Sequence, residues 1–222
     1  MPPPRWPEPG PDRLRMLPAT PAPDYLALGD SYTIGEAVAA DQRWPAVLVQ
    51  RLRQAGMAID DPQIIAVTGW TTDELVQGMG EATLTPPYDL VTLQIGVNNQ
   101  YRGRPADEYR QQFASLLARA MTLADHRAAR VVVVSIPDWG VTRFAHEQGR
   151  DSTRIASELD RYNAIARDEA TRAGAHFVDI TGISRQFPLL VADDGLHPAA
   201  AQYALWVDAI LPVVRTALRP PH

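Results

Sequence analysis

Five short apolar runs punctuate the chain, at residues 25–28, 64–67, 90–95, 131–136 and 176–180. Most are rich in β-branched residues, bounded by Gly, Pro or Asp, and free of polar alternation. That pattern predicts strands buried on both faces of a parallel sheet. Between the runs the period changes to that of a helix. Trp44, Val47, Leu48 and Leu52 form one apolar face. Tyr109, Phe113, Leu116, Leu117 and Met121 form a second, and Ile155, Leu159, Tyr162 and Ile165 a third, with acids and arginines opposite. A last helix is expected from Pro198 to about Leu218, kinked or divided at Pro212.

Strands alternating with helices predict an α/β fold, a three-layer α/β/α sandwich around a central five-stranded parallel sheet. In such sheets function collects at the carboxyl ends of the strands. Ser31, Gly69, Asn98 and the Pro137-Asp138 pair each fall just after a predicted strand, and Asp194 and His197 precede the last helix. The pattern needs one domain, residues 24–222. Residues 1–23 are Pro-rich, carry Arg5, Arg13 and Arg15, and read either as an extended arm or as a strap lying on the domain.

Composition narrows the classes. With 222 residues, 45% of them hydrophobic and 21% charged, the chain is of ordinary globular type and long enough for a sizeable core. A formal net charge of -5 argues against a nucleic-acid partner, which would call for basic patches. The absence of cysteine removes disulfides, Cys-ligated zinc and a thiol nucleophile. His126, His146 and His176 show no metal-binding spacing, so no metal is expected. No run approaches the roughly 20 apolar residues of a membrane span. Residues 1–23 hold no signal-like apolar run, so the cytoplasm is the expected compartment. Nothing in the sequence specifies an oligomeric state.

Four segments carry candidate chemistry. In Gly29-Asp30-Ser31-Tyr32 a serine follows the first strand, where backbone N–H groups face developing negative charge. Its bland reading is a helix cap by Asp30 or Ser31. In Asp194-Gly195-Leu196-His197-Pro198 an aspartate three residues before a histidine can fold back onto one imidazole nitrogen. The other nitrogen is then left to accept a proton. The bland reading is a helix-entry loop. Asn98, in Gly96-Val97-Asn98-Asn99, offers an amide donor, and Gly69 a backbone N–H; either is also an ordinary turn residue. Arg102 and Arg104 read as solvated loop charges, Tyr109 and Phe113 as core, and Trp139 as pocket wall or packing.

Together these segments resemble the SGNH hydrolases, the GDSL-like esterases and lipases, in identity, order and placement after successive strands. The likeness runs from about Tyr25 to Leu218 and is nearest the lysophospholipase-like esterase branch. Two positions depart from the family pattern: Tyr32 stands where Leu is usual and Asn99 where Asp is usual. The second leaves the choice between Asn98 and Asn99 open. The resemblance implies a flavodoxin-like sheet and a serine esterase, acting on a short-chain or lysophospholipid-like ester with no cofactor. It implies Ser31 as nucleophile, His197 as base, Asp194 as its orienting acid, and an oxyanion hole of the Ser31 and Gly69 N–H groups with the Asn98 amide. Alternatives on the same machinery are a carbohydrate O-deacetylase or a thioesterase. Outside it stand a catalytically inactive binding domain and a nucleotide-binding module, the latter without a glycine-rich phosphate loop to support it.

Overall fold

The computed structural model describes residues 22–219. The predicted arm therefore lies almost wholly outside the described residues. In chain order the elements are β1 (Tyr25–Gly29), α1 (Ser31–Ile34), α2 (Trp44–Gln54), β2 (Gln63–Ala66), α3 (Thr72–Glu81), β3 (Leu90–Gln94) and α4 (Val97–Tyr101). There follow α5 (Ala106–Leu123), β4 (Val131–Val134), α6 (Arg143–Glu147), α7 (Ser152–Ala173), β5 (His176–Val178), α8 (Thr181–Gln186) and α9 (Ala200–Ala217).

All five strands are parallel and their order is β2-β1-β3-β4-β5. The three inner strands are buried throughout, as their uninterrupted apolar sequences require. The two edge strands are only partly buried. Val67, at the end of the second predicted run, lies beyond β2 and is exposed.

Helices cover both faces. α2 packs on α9 on one side, and α3, α5 and α7 form the layer on the other. The predicted helical faces lie where burial is greatest: Trp44, Leu48 and Leu52 in α2, Tyr109, Phe113 and Leu116 in α5, Leu159 and Tyr162 in α7. The expected division at Pro212 does not occur. α9 runs unbroken from Ala200 to Ala217 with Pro212 inside it. A proline costs one backbone hydrogen bond there, and the buried face of Tyr203, Trp206, Val207, Ile210 and Val214 holds the helix together across it.

With the order reversing beside β1, the segments after β1, β2 and β3 emerge next to one another at one end of the sheet. A crevice at that point is the expected consequence.

Candidate active site

Ser31 is the first residue of α1, directly after β1, and is 5% exposed. The cap reading and the site reading divide between neighbours here. Asp30 is the cap, its Oδ1 accepting from the Tyr32 N–H at 3.1 Å, which leaves the Ser31 side chain uncommitted. Asp30 is itself buried. Burial pushes its carboxyl up to about 7, against the pull of N–H groups that include those of Tyr32 and Gly96.

His197 is held from behind. Its Nδ1 lies 2.6 Å from Asp194 Oδ2, while Asp194 Oδ1 accepts from the Leu196 and His197 N–H groups at 2.9 and 3.0 Å. Burial raises the Asp194 carboxyl, but the His197 bond and the two backbone donors outweigh it and hold it below the ordinary carboxylate value. An ionised partner on Nδ1 fixes the tautomer in which Nε2 carries the lone pair. Tyr32 meets the imidazole edge to face at a centroid distance of 5.9 Å.

Gly69 and Asn98 come from the next two strand ends. Gly69 has φ +89°, a conformation that favours glycine, and a Cβ there would meet only Arg102 Nη2, at 3.9 Å. Its glycine is thus required by the turn more than by crowding. Gly96, which opens α4, has φ +129° and also lacks space: a Cβ would sit 2.6 Å from the Tyr109 ring. Asn98 spends one amide N–H on the Trp70 carbonyl at 2.9 Å, leaving the second. Asn99 is fully buried, its Oδ1 accepting from the Thr72 N–H and its Nδ2 donating to Thr72 Oγ1.

Ser31, Gly69, Asn98 and His197 line one cleft of about 160 Å³. Asn98 lines it and Asn99 does not. Ser31 Oγ makes no hydrogen bond among the described residues, so Ser31 and His197 share the cleft without being joined. Catalytic hydrogen bonds commonly tighten only once substrate is bound. Trp139 is both packing and wall: it is 2% exposed, donates from Nε1 to Gln100 Oε1 at 2.8 Å, and faces the cleft.

Arg102 is exposed and Arg104 half-buried, as loop charges are, and both are also paired. Arg102 donates to the Gly69 carbonyl at 2.6 Å and to Glu74 at 3.2 Å; Arg104 pairs with Asp73 at 2.6 Å. The sequence reading missed Tyr101, Phe144 and Leu196 as cleft walls. Only Tyr101 carried a signal, lying one helical turn beyond Asn98.

The five-stranded all-parallel sheet flanked by helices is that of the SGNH hydrolase fold. The chain belongs to the GDSL-like lipase/acylhydrolase family, whose model matches residues 27–205, and is accordingly an ester-hydrolysing enzyme. Relatives include an arylesterase of Vibrio mimicus, 25% identical over 175 residues and 78% of each chain. Esterase TesA of Pseudomonas aeruginosa is 24% identical over 203 residues, covering 89% of this chain and 90% of the relative. Among solved structures, TesA matches with TM-score 0.69 at 18% identity, over 88% of this chain and 99% of that one. An acetylxylan esterase from Geobacillus stearothermophilus matches with TM-score 0.67 at 18% identity, over 86% and 94%. Among the described residues no helix is long and apolar enough to cross a membrane.

Proposed function

We propose that the protein hydrolyses short-chain carboxylic esters through an acyl-enzyme, with Ser31 as nucleophile, His197 as general base and Asp194 as the group that orients it. The observation that carries this reading is the 2.6 Å Asp194–His197 pair on a cleft shared with Ser31. Substrate binding brings Ser31 Oγ to His197 Nε2. The imidazole takes the hydroxyl proton as Oγ attacks the ester carbonyl carbon, and the carbonyl electron pair moves onto oxygen. The Ser31 and Gly69 N–H groups and the free Asn98 N–H receive that oxyanion. His197 then protonates the departing alcohol. Water, deprotonated by the same imidazole, releases the acid and restores Ser31. Asp194 stays ionised throughout and stabilises the imidazolium.

Apolar walls and a volume of about 160 Å³ favour a small acyl group over a long one. The arylesterase and acetylxylan esterase among its relatives and structural neighbours favour ester over thioester substrates. Labelling with a fluorophosphonate tests the assignment. Native protein is expected to label, and Ser31→Ala and His197→Ala to lose labelling and hydrolysis of phenyl acetate together. Undiminished labelling of Ser31→Ala overturns the nucleophile. A folded native chain that neither labels nor hydrolyses any short ester returns the protein to a binding role.

A further inference from the structure

Tyr101 ends α4 and lies three residues beyond Asn98, on the same side of the helix. It is 48% exposed and forms part of the cleft wall. Behind it is a second hollow of about 330 Å³, bordered by Gln100, Arg150, Ile155 and Glu158. Among the described residues, Tyr101 is the one that lines both spaces. Its ring is held in place from the far side. The Arg150 guanidinium carbon lies 5.1 Å from the Tyr101 centroid and 5.5 Å from that of Trp139. The two rings meet edge to face at 5.4 Å. A guanidinium against two aromatic rings restrains both.

Around the attacked carbon, the oxyanion turns to Gly69 and Asn98, and the leaving oxygen must reach His197. In this proposal the acyl chain runs along α4 toward Tyr101 and Trp139, which line the cleft beyond Asn98. The cleft, at about 160 Å³, is small. A longer chain meets the Tyr101 ring. Past the ring, the aliphatic stems of Arg150 and Arg154 offer apolar surface beside the charged Asp151 and Glu158.

We infer that Tyr101, pinned by Arg150, is the partition that sets acyl-chain length, and that removing it joins the cleft to the groove behind. This rests on the acyl-enzyme reading of Ser31. The test is kcat/KM for p-nitrophenyl acetate, butyrate, octanoate and decanoate with the native enzyme, Tyr101→Ala, Tyr101→Phe and Arg150→Met. The readout is the octanoate-to-acetate ratio, which is independent of the amount of active protein. Since each added methylene in a fitting pocket is worth about tenfold or more in discrimination, Tyr101→Ala should raise the ratio at least about tenfold. Tyr101→Phe should keep the native ratio, and Arg150→Met should raise it by less than Tyr101→Ala. An unmoved ratio in Tyr101→Ala, or an equal rise in Tyr101→Phe, overturns the partition while Ser31-dependent labelling leaves the proposed function standing. Labelling that does not depend on Ser31 overturns both.

Discussion

Asn98 and Asn99 are adjacent and chemically identical, yet the fold gives them different work. Asn98 faces the cleft with one N–H unspent, whereas Asn99 is buried and satisfies Thr72 twice. Because Asn98 is a proposed oxyanion donor, Asn98→Ala should lower kcat by about 10²- to 10³-fold, and loss of its bond to the Trp70 carbonyl should cost about 1 kcal/mol of stability. Asn99→Ala leaves the Thr72 N–H without its acceptor and should cost about 1–3 kcal/mol in unfolding free energy. Kinetics on phenyl acetate beside urea unfolding of both variants checks the pair. If Asn99→Ala is the more damaging to kcat at equal stability, the donor has been misplaced. Ser31 and His197 stand out as candidates in the sequence alone, each in a short motif with a bland alternative, and the fold brings the two to one cleft. The Asn98–Asn99 choice was not readable. It depends on Thr72, 27 residues from Asn99 and brought alongside it only by the pairing of strands.

Among the elements, α5 and α7 are long enough for their helical period to show, and both were predicted from it. α1 and α4, with four and five residues, are too short to express a period. α3 was missed for another reason: Gly78 and Gly80 dilute its apolar face. Its available signal was Thr71 followed three residues later by Glu74, whose Oε2 accepts from the Thr71 N–H at 2.8 Å. Residues 69–74, at the entry to α3, are tied to residues 98–102 by three side chains. Asn98 holds the Trp70 carbonyl, Asn99 holds Thr72, and Arg102 holds the Gly69 carbonyl and Glu74. Arg102 thus acts on the candidate site through Gly69. Arg102→Met, which keeps the stem and loses the hydrogen bond, should lower kcat about tenfold while leaving KM nearly unchanged. A change confined to KM would instead place Arg102 in substrate binding.

For the molecule as a whole, the parallel sheet could be inferred from five apolar runs, since only a sheet covered on both faces hides such strands. Of the cleft walls, Trp139 was inferable from its place after the fourth strand and the others were not. Tyr101, Phe144 and Leu196 arrive from separate segments and share no sequence pattern. One buried group links the site to global stability. Asp30 has its carboxyl raised to about 7 by burial, against 3.8 ordinarily. Between those values the unfolded chain has released the proton that the folded chain retains. Asp30 therefore makes stability fall as pH rises from about 4 to 7, and above 7 its cost is constant. Asp30→Asn keeps an acceptor for the Tyr32 N–H and removes the titration. Its unfolding free energy minus that of the native protein should grow by on the order of 3 kcal/mol from pH 4 to pH 8, then level off. Urea unfolding across that range measures it, and a flat difference refutes the assignment. Asp194 acts in the opposite sense: its lowered carboxyl gives stability that is lost as pH falls below the ordinary carboxylate range.

The three ties between residues 69–74 and residues 98–102 have a practical corollary for anyone recombining this enzyme with its relatives. A transplanted 69–74 stretch would arrive without the asparagines and arginine that bind its carbonyls and Thr72, and a transplanted 97–102 stretch would find none of its partners. The two segments are one heritable part. Chimaeras with a crossover between residues 74 and 97 should mis-set the donors even where both parents are active, whereas exchanging the two stretches together should carry the geometry intact.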